Sequence, residues 1–206
     1  IGTGKLQSEQ PSVVFLHGAG MDHSVWVLPA RYFARHGYNV YALDYPAHGR
    51  STGNPLTSID AMADWVSDAM DALEVATAAI VGHSMGSLVA LNFTARYSTK
   101  SRVLALLGTS TPMPVADPLL DAARDNHHDA IDMANTWSHS NFAQMGGNEN
   151  PGMCMTMGGQ RLLERAARDV FHSDLNACNE FTNGAELAKK IAVETLVIVG
   201  NQDKMT

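Results

Sequence analysis

Five short runs of aliphatic and β-branched residues punctuate the chain, at 13–16, 40–43, 78–81, 103–107 and 196–199. None alternates apolar with polar positions, so each predicts a strand covered on both faces, as in a parallel sheet. Between them the period becomes helical. After Ser58, the residues Ile59, Met62, Val66, Ala69 and Leu73 recur at three- and four-residue steps. Asp60, Asp64, Ser67, Asp68 and Asp71 take the other face, which predicts an amphipathic helix capped by Ser58. A second helix is expected over about 25–36, with Pro29 in its first turn and Gly37 just beyond its end. A third starts directly after Ser84 and runs through Leu88, Leu91 and Phe93. Strand–helix–strand alternation with right-handed crossovers predicts an α/β fold with a doubly wound, mostly parallel sheet.

The alternation stops after Leu107. Residues 109–190 carry helical stretches and no convincing strand, and the strand signature resumes near 195. The expected organisation is therefore a core over 1–108, a helical cap insertion over 109–190 and a second part of the core over 191–206, the cap lying over the end of the sheet where loops gather. The Gly-rich stretch at 146–159 is expected to be an irregular cap loop, because no strand precedes it and it holds no P-loop lysine.

Candidate chemistry concentrates at 78–88, where strand, Gly82-His83-Ser84-Met85-Gly86 and helix follow in order. This is the context that a G-x-S-x-G nucleophile turn requires. The turn is so tight that side chains at 82 and 86 would collide, and glycine at both positions relieves the crowding. Ser84 is then expected in a strained conformation that lifts its Oγ above the positive end of the following helix.

With these residues the sequence resembles the α/β-hydrolase family, of the capped serine-hydrolase kind that includes carboxylesterases and enol-lactone hydrolases. The resemblance extends over nearly all of the chain outside the cap. His17-Gly18-Ala19-Gly20 is similar to the family's HG motif. Residues 44–51 are similar to its D-x-P-G-H-G-x-S loop, departing at Ala47, where the family has glycine, and Gly200-Asn201-Gln202-Asp203 is similar to the turn that presents the acid. The resemblance implies Ser84 as nucleophile, Asp203 as the acid that orients a histidine, and the backbone N–H groups of Ala19 and Met85 as the oxyanion hole, with His17, Gly18, Gly82 and Gly86 as supporting motif residues. Asp117 is the fallback acid. His17, His48 and His83 read as structural, and Asp44 as a residue that orders backbone amides.

A serine hydroxyl needs an adjacent base. The family order is Ser, acid, His, so the resemblance places the catalytic histidine beyond Thr206, and a further strand and helix are expected there. The cap histidines His127, His128, His139 and His172 are weaker substitutes, because no second carboxylate would orient them. The run His127-His128-Asp129 invites a metal, but adjacent helical residues diverge, so neither metal nor cofactor is expected.

Composition narrows the remaining options. A formal charge of −7 with no basic run argues against nucleic acid, and the apolar runs are too short to span a membrane. Two distant cysteines, Cys154 and Cys178, make no disulfide framework, which favours a reducing, cytoplasmic setting. Six of the eleven methionines, Met113, Met133, Met145, Met153, Met155 and Met157, fall in 109–190 and suit an apolar substrate surface. The expected partner is a small-molecule ester with a short to medium acyl chain, cleaved through an acyl-enzyme. Lactonase, carbon–carbon bond hydrolase and cofactor-free perhydrolase chemistry fit the same residues, and the rival reading is an inactive ligand-binding protein. The strand at 196–199 is expected to leave an open sheet edge through which the chain forms a homo-oligomer.

Overall fold

The five apolar runs form the five strands of one sheet: β1 (Ser12–Leu16), β2 (Asn39–Leu43), β3 (Ala78–His83), β4 (Ser101–Leu107) and β5 (Thr195–Ile198). The computed structural model describes residues 6–7, 9–147 and 152–206. All four strand pairings are parallel, in the order β2-β1-β3-β4-β5. Residues 13–16 are almost wholly buried because helices cover both faces of β1, which is why its sequence does not alternate. Four strands begin at polar residues outside the predicted runs, Ser12, Asn39, Ser101 and Thr195, since ladder pairing uses the backbone whatever the side chain.

Helix α1 (Val27–Arg35) follows a short 3₁₀ turn over His23–Trp26, capped by the Asp22 carboxylate accepting the Ser24 N–H. Helix α2 (Ile59–Ala72) begins where the sequence predicts, its N-cap Ser58 Oγ accepting the Ala61 N–H at 3.1 Å. Helix α3 (Met85–Arg96) is buried on nearly every side, from Met85 to Thr94. Its weak amphipathicity follows from that central position, packed against β3, β4 and α2.

Between β4 and β5 lie α4 (Asp117–Arg124), α5 (Asp129–Trp137), α6 (Asn141–Gln144), α7 (Met155–Leu163), α8 (Val170–Glu180) and α9 (Gly184–Ala188), and the described residues of this interval contain no strand. Leu119, Leu120, Ala130, Leu163 and Leu175 form an apolar cluster of their own. Ala177, Cys178, Phe181 and Leu187 instead join the main core, so α8 and α9 tie the insertion to α3. The Gly-rich stretch is not all loop. Residues 148–151 lie outside the described residues, but 155–159 belong to α7, where Gly159 allows close approach to Asn135 and His139 of the α5 region. Packing against α5 thus overrides the low helix propensity of two adjacent glycines.

No described helix is long and apolar enough to cross a membrane. Among the described residues β2 and β5 are the two edges of the sheet, and Leu196, Val197 and Ile198 of β5 are each about half exposed.

Candidate active site

The turn from β3 to α3 is as tight as the two glycines require. A Cβ on Gly82 would overlap the Gly86 carbonyl, and one on Gly86 would overlap the Leu16 and His17 carbonyls. Ser84 sits between them at φ 51° and ψ −122°, a conformation sparsely populated for any side-chain-bearing residue. Its N–H donates to the Leu107 carbonyl at 2.9 Å and its carbonyl accepts from the Ser87 N–H and hydroxyl, which pins the strained backbone on both sides. The Ser84 side chain faces a cavity of about 970 Å³.

The structure brings Ser84, Ala19 and Asp203 to the lining of that one cavity. Met85 is fully buried as the first residue of α3. Among the described residues, the backbone N–H groups of Ala19 and Met85 have no hydrogen-bond partner. Gly18 lies under the site, where a Cβ would come within 3.2 Å of both the Ser84 Cβ and the His83 Nδ1.

Asp203 is held by its own turn. Oδ1 accepts the N–H groups of Met205 and Thr206 and Oδ2 accepts the Thr206 hydroxyl, at 2.8, 3.1 and 2.8 Å. Burial pushes the carboxyl up, but these donors, with the nearby His83, outweigh it and hold Asp203 below the usual carboxylate range. Asp117 instead opens α4, away from the cavity lining.

The histidines separate by environment. His17 is buried and bonded only to backbone, Nδ1 donating to the Gly18 carbonyl at 2.9 Å and Nε2 accepting the Tyr45 N–H at 3.4 Å. Burial, aided by His48, lowers its pKa to about 4. His83 lines the cavity, its pKa lowered by burial and its Nδ1 without a hydrogen-bond partner among the described residues. Of the four insertion histidines only His139 reaches the cavity, and its Nδ1 donates to the Asn135 carbonyl. His128 is exposed and bridges Asp132 and Glu164.

Asp44 accepts the backbone N–H groups of His23 and Arg50 as well as the His23 ring. It forms with Asp22 and His23 a cluster whose ligand atoms lie within 4.8 Å, but Asp22 also accepts the Ser24 N–H and pairs with Arg165, so internal partners already occupy these groups. Ala47 takes a left-handed conformation at φ 66°, which explains why glycine suits that place in the loop.

Asp174 had no sequence signal. It lies in α8, fully buried, and its Oδ2 accepts both the Gly20 N–H and the His48 Nε2–H at 2.8 Å. His48 donates its other ring N–H to the Pro46 carbonyl, so both nitrogens are donors. Burial opposes the charge on His48, but the Asp174 bond outweighs it and raises the pKa.

Comparison with known proteins places this geometry in context. A family model described as alpha/beta hydrolase fold matches residues 11–147. An (E)-2-((N-methylformamido)methylene)succinate hydrolase from Acinetobacter baylyi is 36% identical over 84 residues, 40% of this chain and 32% of that protein. A pimeloyl-acyl-carrier-protein methyl ester esterase from Chromobacterium violaceum is 37% identical over 100 residues, 48% of this chain and 37% of that protein. The matched segments thus span about a third of these curated relatives. The solved structure of an esterase from Exiguobacterium antarcticum superposes with a TM-score of 0.81 at 19% identity, covering 100% of this chain and 76% of that one, which shows a shared fold. With its parallel sheet, its serine turn between β3 and α3 and a family match over most of its length, the chain belongs to the α/β hydrolase fold family.

Proposed function

We propose that the protein hydrolyses carboxylic esters through an acyl-enzyme on Ser84. The observation that carries this reading is the strained Ser84 at the N-terminus of α3, facing a large cavity that also holds Asp203 and Ala19. In this reading Ser84 Oγ attacks the ester carbonyl as a histidine base takes its proton. The family order puts that base after Asp203, which would orient it and stabilise the imidazolium. The N–H groups of Ala19 and Met85 would receive the charge that develops on the carbonyl oxygen. The base then protonates the departing alcohol, and water attacks the acyl carbonyl to release the acid and regenerate Ser84.

Met153, Met155, Leu162, Phe171 and Met205 give the cavity an apolar wall, which supports short to medium acyl chains. The activities of the two curated relatives, a hydrolase and a methyl ester esterase, agree with the reaction class. The test combines a fluorophosphonate probe with a panel of p-nitrophenyl acyl esters. Labelling and turnover that both vanish in Ser84→Ala support the proposal. A folded wild-type protein that neither labels nor turns over esters favours a ligand-binding role, and turnover of lactones alone would redirect the substrate class.

A further inference from the structure

We infer that Asp174 is a positioning residue for the catalytic loop Gly18–Gly20, acting from the helical insertion on the aim of the Ala19 N–H. The inference rests on the Ser84 reading and adds a residue to it. The loop is held at both ends by buried groups. On the N-terminal side the His17 ring donates to the Gly18 carbonyl, and on the C-terminal side the Gly20 N–H donates to Asp174 Oδ2. Ala19 lies between these two anchors, its own N–H without a partner among the described residues.

The anchor at Gly20 is built rather than incidental. Asp174 is fully buried, and a buried carboxylate is strongly disfavoured unless it is paired. It is paired through the same oxygen with His48, whose second ring nitrogen is committed to Pro46. Oδ1 is buried with no hydrogen-bond partner among the described residues, so Oδ2 carries both bonds. One turn earlier in α8, Phe171 packs on Gly20 so closely that a Cβ there would come within 2.7 Å of the ring. Helix α8 therefore meets the loop at two points, one polar and one apolar. A small displacement of the helix moves the peptide that follows Ala19, and with it the direction in which the Ala19 N–H points.

A misdirected donor weakens stabilisation of the tetrahedral intermediate more than it weakens ground-state ester binding. In Asp174→Asn the amide oxygen can replace Oδ2 only as a neutral, weaker acceptor for both donors, and Nδ2 is then buried where Oδ1 has no partner, so the hold on Gly20 loosens. The expected result is a fall in kcat of about tenfold to a hundredfold with KM within about twofold of wild type. Affinity for an alkyl boronic acid, which forms a tetrahedral adduct on a serine, should fall in parallel, while affinity for the product carboxylate is retained. A folded Asp174→Asn protein with wild-type kcat and boronate affinity overturns the inference. So does equal weakening of boronate and carboxylate, which would mark a purely structural role. A second measurement needs no variant: in the wild-type protein the Gly20 amide should exchange slowly with solvent, and rapid exchange would refute the anchor. If Ser84→Ala itself leaves ester turnover intact, the Ser84 reading fails, and the Gly20 exchange rate still reports on the anchor.

Discussion

Acidification should destabilise the protein through His17, a buried ring outside the proposed proton-transfer machinery. Nδ1 donates to the Gly18 carbonyl, so Nε2 must be the nitrogen that accepts the Tyr45 N–H. Protonating Nε2 would set two N–H groups against each other in a site already short of solvation, with the His48 ring centroid 4.9 Å away. Burial first, and His48 second, accordingly lower the pKa from 6.5 to about 4. Because the folded value lies below the unfolded one, the unfolded chain binds more protons across this window. The contribution of His17 is present above pH 6.5 and is lost as pH falls towards 4. At about 1.4 kcal/mol per pKa unit the full loss is ~3 kcal/mol, with ~2 kcal/mol of it gone by about pH 5. His83, also lowered by burial, adds a loss of the same sign, whereas His48, with a raised pKa, contributes stability that is present below 6.5 and lost as pH rises through its folded value. Urea unfolding followed by tryptophan fluorescence at about pH 7.5 and about pH 5, on wild type and His17→Gln, isolates the His17 share. Glutamine keeps an acceptor for Tyr45 and does not titrate. The variant should be less stable at the higher pH yet lose ~2 kcal/mol less on acidification. An equal loss in both proteins would refute the reasoning.

Three further outcomes follow from individual positions. Ala47→Gly should raise stability by about 1 kcal/mol in the same unfolding assay, because Ala47 occupies a left-handed conformation at φ 66° that glycine adopts freely. Gly86→Ala should unfold the β3–α3 turn or abolish fluorophosphonate labelling, since its Cβ would overlap the Leu16 and His17 carbonyls, and a stable, fully labelled variant would contradict the turn geometry. The 206-residue polypeptide should associate through the exposed edge of β5, and Val197→Lys should shift light scattering towards the monomer.

Much of the molecule is local enough to be legible in the residues. Uninterrupted apolar runs mark all five strands, although β1 is buried along nearly its whole length and β5 is exposed rather than covered, Ser58 marks the start of α2, and Gly82 and Gly86 mark a turn that admits no side chain at either place. Each of these depends on neighbours a few positions away. Ala47 shows the boundary: its departure from glycine is visible in the sequence, but only the backbone angle reveals it as strain. The helix through Gly158 and Gly159 and the links of Asp174 to Gly20 and His48, 154 and 126 positions away, have no periodicity to announce them. Tertiary structure alone decided them, because a buried carboxylate is stable only opposite the donors that face it, and sequence spacing does not carry which distant donors those will be.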